Sequence, residues 1–111
     1  MSAPRNRAYS NCKYIYSGLI RLHVLHHASE KAIREAWIIE ELKRHGYALS
    51  PGTLYLLLQV MEREGYLRSY ELQWGGRRLQ HYSATSNGRA ALAEAKNQVS
   101  EFFGELFETA D

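Results

Sequence analysis

The sequence predicts a mainly α fold with three helices, a β-hairpin wing and a fourth helix, and two observations lead to it. Apolar residues recur at spacings of three and four over about residues 12–28, 32–45, 51–64 and 85–107, which is the period of an amphipathic helix. Between the last two segments the period falls to two, and Gly75-Gly76 separates two extended stretches, which predicts a two-residue hairpin. Two helices joined by a short link and followed by a hairpin form a winged helix-turn-helix.

The composition is that of one folded domain with an uneven distribution of charge. The chain has 111 residues, of which 45% are hydrophobic and 23% charged, and its net charge is +2. Residues 1–27 carry four basic groups and no acidic one, whereas residues 94–111 carry one lysine and five acidic groups. Such a chain can present one face to a polyanion and another to a second copy of itself. We therefore expect a flexible basic arm at 1–10, a winged helix-turn-helix at 11–84 and a C-terminal dimerisation helix at 85–111.

Several classes of protein are excluded by what the sequence lacks. Cys12 is the only cysteine, so neither an internal disulfide nor a multi-cysteine zinc site is possible. No apolar run approaches the ~20 residues that span a bilayer, and the start of the chain has no signal-peptide core, so we expect no membrane partner. The sequence offers no nucleophile–base pair, phosphate loop or carboxylate pair for catalysis. We therefore predict that the protein is not an enzyme and has no cofactor.

The first two helices are predicted from their apolar faces and from the residues that end them. Helix one spans about residues 12–28 and places Ile15 and Leu19 on its apolar side, and residues 29–31 form a short break. Helix two spans about residues 32–45. Gly46 ends it, because glycine readily adopts the left-handed conformation of a helix C-terminus.

The third helix has the sharpest local signal in the chain. Serine is a preferred N-cap and proline is preferred at the first helical position, so Ser50-Pro51 marks a helix start. The helix then runs to about Glu64 and ends at Gly65. Helices two and three, joined by the short link at residues 46–49, form a helix-turn-helix pattern.

The hairpin and the fourth helix complete the prediction. The Gly-Gly turn fixes a register in which Trp74 faces Arg77, Leu72 faces Leu79 and Tyr70 faces His81. The fourth helix begins near Thr85, a plausible N-cap, and its apolar residues repeat every seven positions. This repeat indicates a surface that packs against a partner. The predicted dimer interface consists of Ile15, Leu19, Leu92, Ala95, Val99, Phe102 and Leu106.

Three segments together resemble the PadR-like family of bacterial transcriptional regulators. They are Ser50-Pro-Gly-Thr-Leu-Tyr-Leu-Leu-Leu, Glu62-Arg-Glu-Gly-Tyr-Leu, and Gly75-Gly-Arg-Arg-Leu-Gln-His-Tyr-Ser-Ala-Thr-Ser-Asn-Gly-Arg. The resemblance covers about residues 16–107 and is closest to the compact subgroup with a short last helix. It differs at Leu56, where the family usually has proline. The resemblance implies a DNA-binding repressor that acts as a homodimer on an inverted-repeat operator, in the bacterial cytoplasm at the nucleoid.

The residues expected to contact DNA belong to the third helix, the wing and the start of helix one. A helix N-terminus binds phosphate, and hydroxyl, amide and guanidinium groups reach phosphates or base edges. Gln59 is the best candidate for reading a base, because its amide pairs bidentately with adenine. The wing arginines either enter a minor groove or clamp phosphates, or they only keep the hairpin soluble, and their place in a winged helix favours contact with DNA. The predicted DNA-binding residues are Ser50, Thr53, Tyr55, Gln59, Arg63, Arg77, Arg78 and Lys13.

Two alternatives to a simple DNA-binding regulator remain open at this stage. One is a winged-helix protein–protein adaptor without DNA binding. The other is a sensor that responds to a metal ion or to a small-molecule effector of unknown identity. His23 and His27 lie four residues apart on helix one, as in many metal sites, but two ligands alone do not make a site. We therefore predict no metal site and keep these two histidines as weak candidates.

Overall fold

The described part of the chain begins with a helix, which is followed by a short strand, two more helices, a hairpin and a last helix. A computed structural model describes residues 13–108, with side chains from residue 15 onwards, and the predicted arm at residues 1–10 lies outside this range. The elements are α1 Lys13–Glu30, β1 Ile33–Arg34, α2 Glu35–Arg44, α3 Pro51–Arg63, β2 Leu67–Trp74, β3 Arg77–Ala84 and α4 Ser86–Leu106. The predicted fold class, a mainly helical winged helix-turn-helix, is confirmed. None of the helices in the described range combines the length and the apolar character needed to cross a membrane.

The sheet has three antiparallel strands in the order β1-β3-β2, not the two that the sequence predicted. Ile33 pairs with Tyr82 and Arg34 with His81, so the predicted helical start at residue 32 is wrong. The side chain of Ile33 is buried in the core, and its backbone pairs with the otherwise unpaired edge of β3. Helix α2 therefore starts only after Arg34. The predicted break at residues 29–31 also begins later, because α1 continues to Glu30.

The core holds the two helices of the helix-turn-helix in a fixed position. Helices α1, α2 and α3 each contribute side chains with essentially no exposed surface, and the sheet contributes Leu67 and Tyr82. The helical members of this fully buried group are Val24, Ala28, Ile38, Leu42, Leu54, Leu58 and Met61. One face of α3 is thus anchored in the core, which leaves its other face for solvent or a ligand.

The hairpin turn has the backbone geometry that the sequence predicted. The register of Trp74 with Arg77 and of Leu72 with Leu79 is confirmed. Gly75 and Gly76 have φ angles of 57° and 78°, so both central residues of the turn are left-handed. Two consecutive left-handed residues match the twist of the two strands, and glycine adopts this conformation without a steric cost. The tight turn places two arginines at the tip of the wing.

The start of α4 is docked onto the turn between α3 and β2. The Thr85 side chain caps the helix by accepting a hydrogen bond from the Gly88 N–H at 3.0 Å, as its position predicted. The Thr85 N–H donates to the carbonyl oxygen of Tyr66 at 3.1 Å. A Cβ atom at position 88 would overlap that same carbonyl group. The absence of a side chain at Gly88 is therefore what allows the helix to approach the turn so closely.

Candidate nucleic-acid interface

The N-terminus of α3 is fixed by a hydrogen-bonded cap and is open to solvent. The Ser50 hydroxyl accepts a hydrogen bond from the Thr53 N–H at 3.1 Å and donates one to the Thr53 hydroxyl at 2.9 Å. Residues 50–53 are all exposed. The first turn of a helix carries N–H groups without intrahelical partners and the positive end of the helix dipole. This end of α3 therefore has the chemistry of a phosphate site.

Beyond its first turn, α3 carries an exposed strip of residues on a different side of the helix from its buried face. Tyr55 is 44% exposed and Leu56 is 64% exposed, whereas their neighbours Leu54 and Leu58 are fully buried. Arg63 ends the helix and is exposed. The helix thus offers a phenol, an aliphatic side chain and a guanidinium group to whatever lies against this face.

The position of Gln59 differs from the one expected for a residue that reads a base. Its Nε2 donates a hydrogen bond to the hydroxyl of Tyr82 at 3.1 Å, and the glutamine is only partly exposed. Burial raises the pKa of Tyr82, so this phenol stays protonated at neutral pH. To read a base, the amide would have to leave this hydroxyl. In the free protein, therefore, Gln59 joins α3 to the sheet.

We expect Gln59→Ala to lower the free energy of unfolding by about 1–2 kcal/mol, because the hydroxyl of the buried Tyr82 then loses its donor. Urea unfolding measures the change. Tyr82→Phe is the matched variant, and in a double-mutant cycle the two changes should cost less together than their sum. If Gln59→Ala keeps the wild-type stability but selectively loses affinity for one DNA sequence, then Gln59 reads a base as the sequence predicted.

The wing carries both predicted arginines at its tip, in different surroundings. Nη1 of Arg78 lies 3.8 Å from Oε1 of Glu71, and both side chains are more than half exposed. Arg77 pairs across the turn with Trp74, which is 75% exposed. Exposed ion pairs contribute little to stability, so Arg78 can exchange Glu71 for a phosphate at small cost.

A hollow joins the exposed strip of α3 to the wing. It has a volume of about 260 Å³, and Tyr55 of α3, Arg78 and Gln80 of β3 and Arg34 of β1 are among its lining residues. Arg34 is exposed and was missed by the sequence analysis, because residues 33–34 were assigned to a helix. A two-residue strand has no signal of its own in the sequence. Three sequence-distant elements thus bring two arginines and a tyrosine to one surface.

A second surface, between α1 and α4, is apolar and exposed. Along α1, Ile15 is 72% exposed and Leu19 is 43% exposed. Along α4, the predicted interface residues Val99, Phe102 and Leu106 are 45–59% exposed. The two helices flank a groove of about 440 Å³ that includes Leu19, Leu22, Val99 and Phe103. Exposed apolar side chains concentrated on two neighbouring helices are typical of an interface.

The remaining predicted residues of the two surfaces are placed as follows. Leu92 is buried in the core of its own chain and also lines the α1–α4 groove, so its place in a dimer interface stays a prediction. Ala95 is half-buried and lines the α1–α4 groove. Lys13 is the first residue of α1, and its side chain lies outside the described part of the structure.

The two histidines kept as weak metal candidates lie at the packing surface of α1 and α2. Their rings stack with centroids 6.4 Å apart. Burial and the neighbouring His45 lower the pKa of His23, and burial and the adjacent His26 lower the pKa of His27. The lowered pKa values favour the neutral form of both imidazoles.

The sequence of this chain is similar to those of known proteins. Residues 24–94 match the family model described as "Transcriptional regulator PadR-like family". The curated protein "Transcriptional regulator Rv3488" from Mycobacterium tuberculosis is 45% identical over 87 residues, which cover 78% of this chain and 81% of that protein.

Solved structures share the fold. A PadR family transcription regulator from Clostridium difficile R20291 has a TM-score of 0.68 at 27% identity, over 78% of this chain and 92% of that chain. A PadR family transcriptional regulator from Eggerthella lenta has a TM-score of 0.74 over 95% of this chain and 96% of that chain, and at 24% identity it supports the fold alone.

Proposed function

The chain belongs to the PadR-like family of transcriptional regulators, and from this premise we propose that it is a homodimeric, sequence-specific DNA-binding repressor. The members of this family regulate transcription and are not enzymes. In our proposal, α3 enters the major groove and the wing contacts the flanking phosphates. The proposal that the protein represses transcription, and does not activate it, is taken from the family resemblance and from no residue of this chain. A regulator of this kind would act in the bacterial cytoplasm, on the nucleoid.

The observation that carries the DNA-binding proposal is the hollow shared by α3 and the wing. Tyr55, Arg34 and Arg78 line it, and the exposed capped end of α3 lies one turn from Tyr55. Phosphate contacts fix the register of a protein on DNA, and contacts to base edges specify the sequence. We assign the phosphates to Ser50, Thr53 and the arginines. Base contacts fall to the exposed Tyr55 and Leu56, since a leucine side chain fits against a thymine methyl group.

The homodimer proposal rests on the apolar surface of α1 and α4. A second copy placed there would bury Ile15, Val99, Phe102 and Leu106, which a single chain leaves exposed. A twofold dimer presents two copies of α3 to successive major grooves about 34 Å apart, so its operator is an inverted repeat.

The test of DNA binding is a titration of labelled duplex DNA at several salt concentrations. Lysine and arginine contacts to phosphate release counterions, so the affinity of a DNA-binding protein falls steeply with salt. An adaptor without a DNA-binding function would show no such dependence, because it would show no DNA binding. Absence of binding at low salt would therefore favour the adaptor.

The double substitution Arg77→Ala and Arg78→Ala should weaken binding to all duplexes alike. It should also reduce the slope of log affinity against log salt by up to about two, since each phosphate contact contributes about one. Arg68→Ala is the control, because this exposed arginine lies at the other end of the hairpin from the turn and should leave the slope unchanged. If the double variant keeps the wild-type affinity and slope, the two arginines serve solubility only.

A further inference from the structure

Two pairs of potential metal ligands face each other across the contact between α1 and α2. His23 and His27 lie one helical turn apart on α1, and Glu41 of α2 lies four residues before His45, the residue that caps the C-terminus of α2. Oε2 of Glu41 is 3.6 Å from Nε2 of His27 and 3.2 Å from Nε2 of His45. The ring centroid of His23 lies 4.8 Å from that of His45. The proposed DNA-binding function uses none of these four side chains.

We propose that these four side chains bind a divalent transition-metal ion of the Zn²⁺ type and thereby join α1 to α2. Imidazole nitrogens and carboxylate oxygens are zinc ligands, with bonds of about 2.0–2.2 Å in tetrahedral sites. Two ligand atoms of such a tetrahedron lie about 3.4 Å apart. The separations of 3.2 and 3.6 Å around Oε2 of Glu41 match this spacing.

The surroundings of Glu41 orient its carboxylate for this role. Its other oxygen, Oε1, lies 3.6 Å from Nη1 of Arg44, which leaves Oε2 turned towards the histidines. The Glu41 and His27 side chains are only 12% and 16% exposed. Groups behind the ligands that fix their orientation strengthen metal sites, and Arg44 holds such a position here.

The walls of the site are aromatic. The ring of Tyr47 lies 5.5 Å from that of His23, and the ring of Trp37 lies 5.2 Å from that of His27. An ion bound there would fix α1, which carries the exposed Ile15 and Leu19, relative to the first helix of the helix-turn-helix.

A neighbouring cluster provides the internal comparison. Among the described residues, the ligand atoms of His26, His27 and Glu30 are the one group of three that lies together, all within 4.8 Å of one another, whereas the four proposed ligands meet pairwise at Glu41 and need side-chain rotation to close on one ion. These three residues come from one helix, adjacent residues of a helix do not share a face, and the His26 and Glu30 side chains are 49% and 64% exposed. We therefore place the ion between the two helices and not on α1 alone.

The experiment is a titration of the full-length protein with Co²⁺, followed by its visible absorption, with Zn²⁺ as competitor. We expect saturation at one ion per chain. Glu41→Gln and His45→Asn should each weaken binding about tenfold or more, as even the loss of an outer-shell partner does. His26→Asn and His81→Asn are the controls and should keep the wild-type affinity. At one fixed Zn²⁺ concentration, the melting temperature of the wild type should also rise more than that of His45→Asn.

Two results would overturn the inference. One is the absence of saturable Co²⁺ or Zn²⁺ binding by the wild type. The other is a loss of affinity in His26→Asn as large as that in His45→Asn, which would put the ion on α1. Circular dichroism establishes the fold of each variant first, and the exposed His45 carries the test if Glu41→Gln does not fold. Because no DNA is present, the result is independent of the proposed DNA binding.

Discussion

We expect Gly88→Ala to lower the free energy of unfolding by about 2–4 kcal/mol, which is a large effect for the addition of one methyl group. The new Cβ would overlap the Tyr66 carbonyl, which belongs to the backbone and cannot rotate away. It would also press on the side chain of Leu25 in the core. The helix start and the turn would have to separate, which weakens the hydrogen bond between Thr85 and Tyr66.

Gly104→Ala is the matched control for this substitution. Gly104 lies in the same helix, and an added Cβ there meets nothing within 4 Å. Alanine is preferred to glycine in a helix interior by about 0.5–1 kcal/mol, so this variant should be slightly more stable than the wild type. Thermal unfolding at one fixed protein concentration compares the three proteins. Equal stability of Gly88→Ala and the wild type would mean that α4 does not dock on this turn as described.

The second large effect concerns the dimer. Val99→Glu should raise the dissociation constant of the homodimer by roughly 100-fold or more, because the interface would bury a carboxylate without a partner at a cost of about 3–5 kcal/mol. Val99 is 45% exposed in the single chain, so the substitution should leave the fold of each chain intact. Analytical ultracentrifugation over a concentration series measures the shift from dimer to monomer.

Asn97→Glu provides the control for charge. It adds the same carboxylate to the same helix two residues earlier, about 200° around the helix axis from Val99. This variant should dimerise like the wild type. A Val99→Glu protein that remains dimeric at the same concentrations would remove this face of α4 from the interface.

Features of this fold with a local cause could be predicted from the sequence. The start of α3 depends on Ser50 and Pro51, and the wing turn depends on Gly75 and Gly76. In each case a backbone conformation requires particular residues at adjacent positions, so the signal lies within a few residues. For the same reason Thr85 marked the start of α4.

Features with a non-local cause could not be predicted. Strand β1 exists because β3 offers an unpaired edge to Ile33, and neither residue 33 nor residue 34 carries a signal for this. Heptad spacing identified Leu92 as apolar, but not that the core of its own chain buries it. The side chain of Gln59 has a length suited to a base edge and equally to Tyr82, and only the fold brings Tyr82 within reach. The Glu41–histidine cluster likewise depends on how α1 and α2 pack.

The central claim is that the homodimer reads a DNA sequence through two copies of α3. Selection from a pool of random-sequence duplexes, followed by sequencing of the bound fraction, tests it most directly. The account predicts an enriched inverted repeat whose half-sites are centred about one helical turn, ~34 Å, apart. It also predicts that Val99→Glu enriches no such paired half-sites. A bound fraction with the same sequence composition as the starting pool would contradict the claim.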